Sequence, residues 1–167
     1  MNKTRKTAVL GLLAACAIVL SYVEMLLPPI WAAVPGIKMG LTNIVILFVL
    51  YKFSLKYAAA ISLTRLLVVL LLFGNFMTFA YSLAGAVLSL VIMAILKKTG
   101  WFSMVAVSIA GGISHNLGQV LVAMAVLQTK EIGYYMIALS VSGIVAGMIV
   151  GLVSALLIRY IDKFITM

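Results

Sequence analysis

The sequence predicts an all-α integral membrane protein, a single six-transmembrane-helix bundle. Three observations carry this. Of the 167 residues, 66% are hydrophobic and 9% charged, against roughly 45–50% and about 25% in a soluble domain. That leaves too little polar surface to cover a water-exposed globule. The apolar residues fall into runs near the length of about 20 that crosses a bilayer. The 12 Lys and Arg stand in ones, twos and threes between those runs. Such spacing is a mark of membrane topology, not of a nucleic-acid-binding face.

The first run is 7–27, ended by Pro28 and Pro29. A loop with Trp31, Pro35 and Gly36 follows. The second run, 39–51, is short and spans only if Lys38 and Lys52 snorkel to opposite interfaces. The third is 57–73, with Arg65 inside it, and Gly74-Asn75 breaks it from the fourth, 76–96. Lys97, Lys98 and Gly100 close that run; 101–127 and 132–158 complete the set. Six spans with short loops leave no room for a second domain, so residues 1–167 read as one membrane domain. With the N-terminus in the cytoplasm, Lys3, Arg5, Lys6, Lys52, Lys56, Lys97, Lys98, Arg159 and Lys163 lie inside. Only Lys38 and Lys130 lie outside. The positive-inside rule therefore places both termini in the cytoplasm. A rival reading takes 13–16, ending in Cys16, as a lipoprotein signal. Apolarity continuing to Leu27, with no polar tether, argues against cleavage.

Several chemistries are excluded. Glu24, Glu131 and Asp162 are the only acids and are too scattered to hold magnesium. One cysteine and one histidine support no disulfide and no metal site. No phosphate-binding glycine loop precedes a Lys-Ser or Lys-Thr pair. The chain reads as neither an enzyme nor an ATPase, with no cofactor, no metal and no nucleic-acid partner.

Small residues mark helix packing, because lipid gives helices no hydrophobic reason to associate. Gly143, Gly147 and Gly151 form a stripe at i+4 spacing on the sixth helix, read as internal packing. Thr7, Gly11 and Ala15 form another on the first helix. It is either packing or a docking face for a partner subunit.

Polar side chains within the runs are the candidate site. A charge at the bilayer centre costs about 2.5–3.5 kcal/mol on the insertion scale, so Arg65 needs a partner or a wet cavity. Glu24 is the embedded charge of opposite sign; the two form either a structural pair or part of a pocket. His115 and Gln119 are four apart and share a helix face with Asn116 close by. Facing lipid they would be costly, so they should face inward. Lys38, Asn43, Asn75 and Tyr81 gather toward the outer side, and Trp31 lies on the longest loop. Asn75 also suits a plain turn role, and Tyr134 and Tyr135 an aromatic belt.

Four runs occur together and in order: 35–44 (PGIKMGLTNI), 72–75 (LFGN), 81–85 (YSLAG) and 114–119 (SHNLGQ). They resemble the bacterial Gx transporter family, also labelled heptaprenyl diphosphate synthase component I. That family is similar to the S-components of energy-coupling factor (ECF) transporters. The resemblance implies an S-component-like fold in the bacterial cytoplasmic (inner) membrane, with an outward pocket under the first loop. It also implies docking through first-helix small residues, here Thr7, Gly11 and Ala15, on a transmembrane T-component driven by ATPases. Thr7 departs from the alanine usual there. Prenyl-chain elongation needs paired Asp-rich motifs, and this chain has one Asp, so it is not the catalytic subunit. The expected function is a substrate-binding subunit of a small-molecule uptake transporter. Its pocket is drawn from Glu24, Trp31, Lys38, Asn43, Arg65, Asn75, Tyr81, His115, Asn116 and Gln119. The alternative is a non-catalytic membrane partner of a quinone-, isoprenoid- or flavin-linked electron-transfer system.

Overall fold

The computed structural model describes residues 2–26, 40–73, 76–128, 133–134 and 136–165. Among these residues lie six α-helices: α1 (Lys3–Leu26), α2 (Asn43–Lys52), α3 (Leu55–Phe73), α4 (Phe76–Thr99), α5 (Met104–Leu127) and α6 (Met136–Ile165). Five of them are long and apolar enough to cross a membrane. Local signals account for several ends. Gly100, at φ +73°, terminates α4 in the left-handed conformation that favours glycine at a helix end. The Ser103 hydroxyl accepts from the Ala106 amide at 3.2 Å, a side-chain cap that starts α5. The last helix runs well past the expected end at 158. Its final turns carry Asp162, which pairs with Lys52 beyond the apolar stretch.

The second helix departs most from expectation. It has 10 residues, a length of about 15 Å at 1.5 Å per residue, or half of a bilayer core of about 30 Å. It does not span. Six consecutive residues, Val45 to Leu50, are each at most 7% exposed. A helix apolar on every side belongs in a core, and α2 is the core of this bundle. It packs against α3 and α6, with Leu10, Leu13 and Ala14 of α1 closing over the same cluster.

The other half of the bundle is held by close backbone approach. On α6, a Cβ placed at Gly147 would lie 2.6 Å from the Ile109 Cα and 2.8 Å from the Ser108 carbonyl of α5. One placed at Gly151 would lie 2.8 Å from the Val105 Cα. Gly143 meets the Gly112 backbone in the same way. The glycine stripe of α6 thus packs inside the molecule. Asn116 adds a side-chain bond to the Leu139 carbonyl at 2.7 Å, polar adhesion of the kind membrane helices use. The stripe on α1 is placed differently. Thr7, Gly11 and Ala15 are all exposed, and a Cβ at Gly11 would meet nothing within 4 Å.

Basic residues collect at one end of the bundle. Lys52 of α2 bonds Asp162 of α6. Lys6 of α1 stands 4.3 Å from the Tyr57 ring of α3. Lys97 of α4 lies over Tyr51 and donates to the Leu50 carbonyl at 2.6 Å. The first turn of α1 and the last turns of α6 share this end.

Replacing Gly147 by Val would force α5 and α6 apart, and overpacking of this kind costs about 1–3 kcal/mol. Gly11→Ala, in open space within a helix, should cost nothing and gain up to about 1 kcal/mol from helix propensity. Unfolding of the two variants in detergent, followed by circular dichroism, checks both. Equal stability of Gly147→Val and the parent would contradict the packing described.

Candidate functional site

A helix that begins inside a membrane leaves its first backbone N–H groups without water to bond. At α2 they are met by the turn before it, where Asn43, Ile44 and Val45 donate to the Gly40, Leu41 and Thr42 carbonyls, and the amides of that turn are met in their place by a side chain from another helix. Gly40 sits at φ +74°, a left-handed turn that glycine adopts without strain. A Cβ there would also lie 2.9 Å from the Asn43 side chain. This turn directs the Gly40 and Leu41 amides at the Glu24 carboxylate of α1. Both donate to Glu24 Oε1, Leu41 at 3.3 Å. Glu24 is 7% exposed, and its negative charge faces the positive end of the α2 dipole.

Beside it the Ser21 hydroxyl joins three helices. It bonds back to the Ala17 carbonyl at 2.9 Å and shares a hydrogen bond of 3.0 Å with the Thr42 hydroxyl. It also accepts from Arg65 Nη1 of α3 at 3.3 Å. Arg65 is 8% exposed, and its Nε has no hydrogen-bond partner among the described residues. Among the described residues the ion pair is Lys52–Asp162; Glu24 and Arg65 are not in such contact. They instead share the walls of one cavity of about 260 Å³, with Ser21, Thr78, Phe79 and Ser82. That volume lies near the lower bound of small-molecule sites, which run about 300–1,000 Å³.

His115 and Asn116 lie elsewhere. With Asn43, Ser89 and Ser108 they line a second cavity of about 20 Å³ between α2, α4, α5 and α6. It has room for about one water molecule and none for a substrate. His115 packs on α4 at Gly85, where a Cβ would lie 3.0 Å from the imidazole. Gln119 bonds the same ring at 3.2 Å. The residues expected to form one pocket are therefore divided. Glu24 and Arg65 are together; Asn43, His115 and Asn116 are in the second group, with Gln119 bonded to it. The turn at Gly40 separates the groups, lining the second cavity while its amide serves Glu24. Tyr81 is half-buried and lines neither cavity. Trp31, Lys38 and Asn75 fall outside the described residues.

Missed as site residues from sequence were Ser21, Thr42 and the backbone of Gly40, together with Thr78, Phe79 and Ser82 of the cavity wall. Ser21 stands three before Glu24, on the same helix face, and that spacing was the available signal. The role of Thr42 depends on where α2 begins.

The fold and this site define a multi-pass membrane protein built around a buried half-length helix with a polar cavity at its start. The chain belongs to the family described as heptaprenyl diphosphate synthase component I, whose model matches residues 13–157. It is the family label that the four sequence runs resemble. The description names a component, not a catalytic subunit, and so implies a partner component. No curated protein and no solved structure matches the chain.

Glu24→Ala would leave the Gly40 and Leu41 amides unsatisfied, and hydrogen bonds to a charged group contribute about 1.5–3 kcal/mol each. Glu24→Gln keeps an acceptor oxygen and should lose less. Unfolding of both variants in detergent measures the difference. Identical losses would show that the carboxylate does not hold the start of α2.

Proposed function

We propose that this protein is a non-catalytic membrane subunit that binds a small anionic or zwitterionic molecule in the Arg65 cavity. It delivers that molecule for uptake with energy from a separate T-component and ATPases. One observation carries the reading. A guanidinium at the wall of a small cavity keeps a donor, Nε, without a partner among the described residues, in a setting where unpaired polar groups are costly. A carboxylate or phosphate bonded there would complete it. Glu24 is the counter-group for a cationic end of the same molecule. The basic end of the bundle faces the cytoplasm by the positive-inside rule, with both termini inside and the membrane bacterial. The whole chain acts as one unit, and the exposed stripe of Thr7, Gly11 and Ala15 is the face offered to the T-component.

The family description favours a second reading, a non-catalytic membrane partner in isoprenoid, quinone or flavin-linked metabolism. The two separate on what the protein carries and what carries it. Mass spectrometry of the gently purified protein should find a small polar acid, retained at least about tenfold less by Arg65→Gln, as expected for a lost charge-assisted bond. Uptake of that molecule should cease without the ATPase partner. A retained quinone or flavin, or retention indifferent to Arg65→Gln, would sink the transport reading.

A further inference from the structure

Because α1 rests chiefly on α3, a groove of about 490 Å³ opens between α1 and α6. Its floor is the core helix α2. Leu12, Phe48, Leu157 and Ile161 make its apolar walls, while Arg5 and Lys52 stand at its basic end. Phe48 is only 6% exposed, so the groove reaches the core and is more than the roughness of a lipid-facing surface. The two cations differ. Lys52 is held by Asp162, whereas Arg5 is exposed with no ion pair among the described residues. An exposed guanidinium presents a planar fork that suits phosphate oxygens.

We infer that this groove is a binding site for one anionic phospholipid, with an acyl chain along α2 and the headgroup phosphate on Arg5. The occupant follows from charge complementarity. The apolar part is deep enough to prefer a hydrocarbon chain to water, and the polar part carries a positive charge with no ion pair among the described residues, at the end where basic residues collect. A zwitterionic lipid supplies the chain without the net negative charge, so headgroup preference is the signature of the site. The inference uses different residues from the Arg65 cavity and holds whether or not that cavity binds a substrate.

The test uses the full-length protein in nanodiscs containing equal amounts of phosphatidylglycerol and phosphatidylcholine. Lipids that remain bound after transfer to detergent are counted by native mass spectrometry. The parent should keep one phosphatidylglycerol with a preference of roughly fivefold, the magnitude expected for one basic residue at an anionic surface. Arg5→Gln should reduce that preference to parity while still retaining lipid. Leu12→Trp, filling the groove from the exposed side of α1, should reduce retention of both lipids. Circular dichroism melts of both variants should match the parent, since both positions are exposed. Equal retention of the two lipids by the parent overturns the inference, as does a preference unmoved by Arg5→Gln. If a prenyl diphosphate added at equal concentration displaces the phospholipid, the occupant is wrong. If a co-expressed partner helix fills the groove in place of lipid, it is wrong as well.

Discussion

The architecture depends on one hydrogen-bonding constraint. A helix about half the thickness of the bilayer starts inside it, and the amides at that start must be bonded. The carbonyls of the turn at 40–42 bond them, and Glu24 in turn bonds the Gly40 and Leu41 amides of that turn. The opposite end of α2 is treated the same way, since Lys97 of α4 reaches the Leu50 carbonyl. Between the ends, the Ser154 hydroxyl of α6 bonds the Ile44 carbonyl at 3.2 Å. Each neighbouring helix that lends a polar side chain to α2 is thereby fixed in depth as well as in angle. In lipid, where burial of apolar surface gives helices no preference for one another, such bonds and close backbone contacts do the organising.

Arg65 belongs to the same arrangement. A guanidinium in the bilayer is costly alone. One bond to Ser21 and a nearby carboxylate at the helix start make it tolerable without closing the cavity. The bundle therefore holds this cation bonded to Ser21 at the wall of a cavity, not in a sealed ion pair. The His115 group is packed more tightly. Its cavity accepts about one water, its ring packs on Gly85, and Asn116 ties α5 to α6. The same residue types thus line two cavities of very different volume.

The two sides of the bundle are assembled by different means. Toward α4, α5 and α6, glycines bring backbones together and leave little space. Toward α1, contact is looser, the small-residue stripe faces outward, and a groove reaches α2. The looser side carries both the Glu24–Arg65 cavity and the apolar groove.

Much was determined by the sequence alone. Composition and run length dictate a helical membrane protein, because so few charges cannot cover a soluble surface. The depth of Arg65 and the inward-facing need of His115 and Asn116 follow from the cost of polar groups in lipid. Glycine spacing on α6 predicts its packing. Only the tertiary structure decided that the second run is a half-length helix. The run 39–51 looks like a short span when counted along the chain. The left-handed turn at Gly40 and the bonds to Glu24 are what stop it, and those partners are distant in sequence. That single shortening also divides the polar residues into two cavities, since the turn at Gly40 lies between them. Spacing along one helix tells which side chains share its face; it does not tell which helix stands opposite.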